Sequence, residues 1–259
     1  MTGNSRVAVI TGAATGVGAA SARWFAARGH NVLINYRASA DEAEAVAAQC
    51  RTLGAEVELV QGNVAEDDAC RAIAARAVAR WARIDFLVNS AGTTVFKPMT
   101  DLEALVSEDF HKVYAVNVIG PYQMARAAAP HMAPGSSIVN VSSIGGANGT
   151  GSSYAYAASK GALNTLTLAL ARNLAPAIRV NAILPGMIEG RWLREGVGDA
   201  AYDGVRAAFA RDAALSTVAT PEQIAETVGW LAVGAELMTG QLVVADAGLL
   251  LGRPPKVLK

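Results

Sequence analysis

Short apolar runs alternate with longer stretches whose apolar residues return every three or four positions. Val7–Ile10 is wholly apolar and short, which predicts a buried strand, and Ala19–Arg28 follows as a helix ended by Gly29. Asn31–Asn35 is a second strand, and the stripe Ala43, Val46, Ala47, Cys50, Leu53 marks a helix from about Asp41 to Leu53. Glu56–Gln61 and Ile84–Asn89 are further strands, separated by a helix over Glu66–Trp81 with Cys70, Ile73, Ala74, Ala77 and Trp81 on one face. Strand and helix in this rhythm predict βαβ units with right-handed crossovers and a parallel sheet covered on both faces.

The second half keeps the rhythm. A long helical region runs from about Glu103 to Met132, interrupted at Gly120-Pro121, then a strand over Ser137–Val141. Ser153–Leu174 reads as a helix with Leu163, Leu166, Leu170 and Leu174 on one side, and Ile178–Ile183 as a sixth strand. Met187–Leu215 is polar and lacks strong periodicity. Pro221 opens a helix to about Val233, and Gln241–Ala245 is the last strand. No linker or repeat breaks the alternation, so residues 1–259 read as one domain.

Composition narrows the function classes. Lys plus Arg equals Asp plus Glu at 22 each, so no global field draws the chain to nucleic acid or anionic lipid. No apolar stretch approaches the ~20 residues of a membrane span, and the polar start Met1–Arg6 does not resemble a signal peptide, so a cytoplasmic protein is expected. The tail Arg253–Lys259 reads as a loose end. Cys50 and Cys70 both fall on helical stripes, which makes them small core residues; no cluster suggests a metal.

Two stretches carry chemistry. The first strand runs into Thr11-Gly12-Ala13-Ala14-Thr15-Gly16-Val17-Gly18 ahead of a helix. Glycines at such a turn let backbone approach a ligand, and the helix N-terminus favours an anion such as a dinucleotide pyrophosphate. At the end of the second strand stands Asn35-Tyr36-Arg37, with no carboxylate for a ribose 2′-hydroxyl and an arginine able to pair with a 2′-phosphate. NADP(H) is therefore favoured, with NAD(H) possible. The second stretch is Tyr154-Ala155-Tyr156-Ala157-Ala158-Ser159-Lys160. On a helix, Tyr156 and Lys160 share a face, and an ammonium beside a phenol lowers its pKa toward neutrality.

With these segments in order, the chain resembles a short-chain dehydrogenase/reductase, similar to the 3-oxoacyl-ACP reductase-like and glucose dehydrogenase-like members. The resemblance spans Arg6–Gly252 and rests on the glycine loop, Asn89-Ser90-Ala91-Gly92, Asn117, Ser143, Tyr156 with Lys160, and Pro185-Gly186. It implies a three-layer, doubly wound Rossmann-type parallel sheet of seven strands. It implies hydride transfer between NAD(P)(H) and a small-molecule carbonyl or alcohol. A polyol or sugar dehydrogenase using NAD(H) is the alternative, and a non-catalytic cofactor sensor the remote one. Tyr156 is then the general acid or base, Lys160 the group that lowers its pKa and holds the nicotinamide ribose, Ser143 the donor to the substrate oxygen, and Asn117 the holder of a relay water. Gly12, Thr15, Gly16, Val17, Gly18, Tyr36, Arg37, Asn63, Val64, Ala91, Gly92, Pro185, Gly186 and Ile188 are the expected cofactor contacts, with Tyr156 and Lys160. Asn89 is expected to tie strands together beside them.

The chain departs from the family pattern in places. Ser90 stands where Asn is common, Asn63 where Asp is common, Gly190 where Thr is frequent, and Ala247 where Gly is frequent. Residues 187–215, with Trp192, Leu193, Val197, Tyr202, Val205 and Phe209, are expected to form a substrate lid; Arg191 and Arg194 read as solvated charges there. The resemblance also implies a homotetramer, or a homodimer, with Val228, Trp230, Leu231 and Leu249–Leu251 as a C-terminal interface or as core.

Overall fold

A computed structural model describes residues 5–252; the Arg253–Lys259 tail and the first four residues lie outside them. Seven parallel strands form one sheet: β1 (Val7–Thr11), β2 (Asn31–Tyr36), β3 (Val57–Gln61), β4 (Ile84–Asn89), β5 (Met132–Val141), β6 (Ile178–Pro185) and β7 (Leu242–Ala245). Their spatial order is β3-β2-β1-β4-β5-β6-β7. The chain therefore steps outward from β1 to β3 and returns to the other side of β1 at β4. Ligand crevices form at such a reversal, beyond the carboxyl ends of the strands.

Alternation along the strands divides the core between the two faces of the sheet. Ala8, Ile10, Ile34, Phe86 and Val88 point to one face, where they meet Phe25 of α1 (Gly16–Ala26), Val46 and Cys50 of α2 (Ala40–Thr52), and Val228 of α10 (Pro221–Gly229). Val9, Leu33, Leu87 and Ile138 point to the other, against Cys70 and Ile73 of α3 (Asp67–Trp81), Met124 of α5 (Gly120–Ala128) and Ala171 of α7 (Tyr154–Leu174). Both thiols are buried, and burial pushes each up to about 11, so they are inert core residues.

Three local features differ from the expectations. Gly120-Pro121 does not interrupt its helix: α4 (Ser107–Tyr114) runs through a π turn at Ala115–Ile119 into α5. Pro121 has no N–H, and the chain passes it through the widened turn, so the helix continues. The helix ends by His131, and β5 begins at Met132, five residues before the expected strand, because Ala133–Gly135 are exposed and carry no apolar signal. The polar 187–215 segment is helical: α8 (Arg191–Val197) and α9 (Asp199–Asp212). Its periodicity is weak because only Tyr202 of these two helices is buried. Val228 and Leu231 are core residues, whereas Trp230 and Leu251 are exposed.

Candidate active site

A cleft of about 1060 Å³ opens at the carboxyl ends of β1 and β4. Its floor at one end is the glycine loop. Gly12 has φ +62°, and a Cβ there would stand 2.7 Å from the Cα of Ala91, so only glycine lets the β1 and β4 loops meet this closely. Gly18 sits behind the loop, where a Cβ would be 2.4 Å from the Gly12 carbonyl oxygen. The first turn of α1 begins at Gly16 with no acidic residue and no side-chain cap from Thr15. Its orphan N–H groups and the helix dipole are left to a ligand, and this donor set fits the pyrophosphate of a dinucleotide.

Asn35 ties the loop to the sheet. Its Oδ1 accepts from Gly12 N at 3.4 Å, and its Nδ2 donates to the carbonyls of Val60 and Gly62 at 3.2 and 3.0 Å. One buried amide thus joins the ends of β1, β2 and β3. Sequence reading passed over it because it looked like a strand-end residue whose main property was not being acidic. Tyr36, Arg37, Asn63 and Val64 line the same side of the cleft, with Arg37 exposed. Asn63 accepts from Ala65 N and donates to Glu66, a turn-shaping role that also holds it at the cleft wall.

Tyr156, Ser143 and Lys160 converge midway. Ser153 caps α7 by accepting from Tyr156 N at 3.2 Å, which starts the helix so that Tyr156 and Lys160 fall on its cleft face. The Ser143 hydroxyl lies beside the Tyr156 phenol and favours its charged form. The neighbouring Ser142 is committed elsewhere, donating to Lys160 O at 3.2 Å and Asn164 Oδ1 at 2.6 Å. The two adjacent serines are thus sorted into a structural one and one facing the phenol. The buried Lys160 ammonium donates to Val141 O at 2.9 Å and lies 5.6 Å from the centre of the Tyr156 ring.

The electrostatics depart from the simple helix-pair expectation. Burial pushes the Tyr156 phenol up to about 12, offset only in part by the Ser143 hydroxyl. Burial also brings Lys160 down to about 8. Desolvation penalises both charged forms and is the largest effect on each.

Asn117, Asn89 and Gly18 do not line the cleft. Asn117 lies in the π turn, fully buried, with Oδ1 accepting from Thr93 N at 2.8 Å and Nδ2 donating to Thr93 O and Ser159 Oγ. Its side chain is spent on holding the loop after β4 to α7. Because Pro121 has no N–H, the Asn117 backbone carbonyl four residues earlier lacks an α-helical donor. Asn89 donates to Asn140, which donates to Thr167, a buried chain across β4, β5 and α7. Ala91, Gly92, Pro185, Gly186 and Ile188 all line the cleft. Among the described residues no His, Cys, Asp or Glu cluster could hold a metal ion, and no helix is long and apolar enough to cross a membrane.

Comparison with known proteins decides the family. Residues 12–250 match the family described as enoyl-(acyl carrier protein) reductase. The chain is 36% identical over 244 residues to a protein assigned as ketoacyl reductase 2 of the granaticin polyketide synthase of Streptomyces violaceoruber, covering 93% of this chain and 95% of that one. It belongs to the short-chain dehydrogenase/reductase family. A cis-4-hydroxycyclohexanecarboxylate dehydrogenase of Sinomonas cyclohexanicum is 35% identical over 247 residues, 94% of this chain and 96% of its own. The crystal structure of a protein assigned to the short-chain dehydrogenases/reductases of Burkholderia xenovorans superposes with a TM-score of 0.90 at 45% identity, covering 96% of this chain and 100% of that one. As a short-chain dehydrogenase/reductase, the protein is an oxidoreductase of the carbonyl–alcohol class, whose members use NAD(P)(H) and act on small molecules.

This short-chain dehydrogenase/reductase also places in or behind its cleft wall groups that the sequence did not single out. Gly146 of the short helix α6 (Gly145–Asn148) crosses α7 so closely that a Cβ would stand 2.4 Å from the Lys160 carbonyl carbon, which holds the segment after Ser143 against α7. Phe96 reaches in from the loop after β4 and meets the Trp192 ring. A glycine packed against a helix and a lone loop aromatic leave no periodic trace.

Proposed function

We propose that the protein is a ketone or aldehyde reductase, reversible to an alcohol dehydrogenase, that prefers NADP(H). The observation that carries this reading is the Tyr156–Ser143 hydroxyl pair set beside Lys160 on the cleft wall. When bound, the cofactor supplies a hydride to the carbonyl carbon, and the carbonyl π pair moves to oxygen. Ser143 donates a hydrogen bond to that oxygen as charge grows on it, and Tyr156 gives it the phenolic proton. In the oxidative direction Tyr156 takes the proton back. Lys160 stabilises the phenolate left behind, and its ammonium is also in reach of a ribose hydroxyl. Asn117 contributes through its backbone carbonyl, the group with spare acceptor capacity, rather than through its spent amide.

The glycine loop, Thr15, Val17, Tyr36, Asn63, Val64, Ala91, Gly92, Pro185, Gly186 and Ile188 hold the dinucleotide, with Arg37 pairing with the 2′-phosphate. Among the described residues no ion pair or side-chain hydrogen bond occupies the Arg37 guanidinium, which favours this over the NAD(H)-dependent polyol reading. Residues 187–215 act as the lid of a one-domain enzyme. Exposed Phe110, Ile119, Tyr122 and Leu168 on one side and Trp230, Val244, Leu250 and Leu251 on another support a homotetramer, to be checked by sedimentation velocity. The test of the chemistry is Tyr156→Phe, which should abolish turnover while cofactor still binds; retained turnover would remove Tyr156 from the mechanism. Kinetics with both cofactors and Arg37→Asp test the preference, and an unchanged NADPH KM in that variant would exclude Arg37.

A further inference from the structure

Resting on the reductase reading, we propose that the substrate is a bulky ring ketone, apolar around its carbonyl, and that Trp192 is the residue that selects it. Trp192 stands on α8 with its ring centre 5.8 Å from that of Tyr156, inclined by 54°, and 6.1 Å from that of Phe96, inclined by 65°. Trp192 is the middle ring of the three and forms a wedge with the proton donor on one side and Phe96 on the other. Two non-parallel aromatic faces match a ring that presents a face to each, and they match an open chain poorly.

The wedge is held in place from behind. Gly196 of α8 lies flat on Phe96, where a Cβ would be 2.0 Å from the ring, so the helix and the loop aromatic seat against each other. Trp192 remains 50% exposed within the cleft. That apolar face gains from being covered by a ligand.

Several polar groups near the wedge are already used. Thr94 and Ser152 hydroxyls bond each other at 2.6 Å, Tyr154 donates to Met99 O at 2.7 Å, Glu195 pairs with Arg191, and Glu189 pairs with Arg206. A sugar would bring several hydroxyls into a space that has few free partners for them, and each unpaired one would weigh against binding.

The test uses the full chain with NADPH and a panel of cyclohexanone, 1-tetralone, dihydroxyacetone and the N-acetylcysteamine thioester of acetoacetate. Ring ketones should be favoured in kcat/KM by about tenfold or more. Trp192→Ala should cut that preference by about tenfold, mainly through KM, and Trp192→Phe should keep most of it. A binding readout independent of turnover is 1-tetralone quenching of tryptophan fluorescence in Tyr156→Phe, lost in Tyr156→Phe/Trp192→Phe. Preference for dihydroxyacetone or the thioester, or an unaltered ratio and quench without Trp192, overturns the proposal while the reductase reading stands. No reduction of any carbonyl with cofactor bound would overturn both.

Discussion

Arg191 in α8 donates to Glu42 in α2 at 2.9 Å, joining residues 149 positions apart in the chain. The sequence suggested a solvated charge at Arg191; in the fold it bridges the 187–215 segment and the helix that follows Arg37, across the mouth of the cleft. The bond holds the Glu42 carboxyl below its ordinary range, chiefly through the hydrogen bond itself. The bridge is therefore complete above the usual carboxylate range and is lost as pH falls through the lowered value. Both groups are exposed, so the bond is weak and sensitive to salt.

Removing it should loosen the cover over the cleft. Glu42→Gln is expected to speed NADPH dissociation, measured by stopped-flow fluorescence, by at most about fivefold at low salt. The difference should vanish near 1 M salt. Equal rates for wild type and variant at low salt would mean that the bridge does not restrain the lid.

Lys160 yields a prediction with opposite signs for stability and activity. Its folded value of about 8 against an ordinary 10.5 means that charging it in the fold costs about 3 kcal/mol at neutral pH. Lys160→Met removes that cost and forfeits the bond to Val141 O, worth about 1 kcal/mol. The variant should then be more stable at pH 7 by about 2 kcal/mol, or about 4–8 °C in Tm. Between pH 8 and 10.5 the unfolded chain binds the extra proton, so wild-type stability rises with pH and the gap closes. Carbonyl reduction should move the other way: the wild-type rate falls as pH rises through about 8 and Lys160 loses its charge, and the variant is nearly inactive. Scanning calorimetry and initial rates over the same pH series check both.

The alternation of apolar runs made the sheet and most helices legible, because buried parallel strands leave no room for polar residues at Val7–Ile10 or Phe86–Val88. The order Gly12-Gly16-Gly18, Ser143, Tyr156, Lys160 was legible because each type answers a separate chemical need at a fixed spacing. What stayed hidden is tertiary. No sequence rule separates an amide that lines a cleft from one spent behind it, and Asn117, expected to hold a relay water, is spent behind the cleft wall. The helices of the 187–215 segment were hidden because they bury so little. The raised Tyr156 pKa was hidden because burial cannot be read from a spacing of four.

Two departures from the family pattern have a common explanation in the backbone, and they give the final prediction. Gly190 has φ +154° and ψ 173°, a region that other residues avoid, and from there the chain enters α8 with Gly190 N donating to the Tyr202 hydroxyl at 3.2 Å. Ala247 sits at φ +55°, where its carbonyl accepts from Leu215 N at 3.0 Å. Glycine is thus present where a threonine could not follow this path, and alanine where glycine would be relaxed. Gly190→Thr should strain the start of α8 and raise the rate of limited proteolysis within residues 187–215 by about fivefold or more. Ala247→Gly relieves about 1–2 kcal/mol of left-handed strain and gives back part of it to unfolded-chain entropy. A net gain of about 0.5–1 kcal/mol should appear as a rise of about 1–4 °C in Tm by calorimetry. A fall in Tm in Ala247→Gly, or unchanged proteolysis in Gly190→Thr, would show that these backbone angles do not account for the two residues.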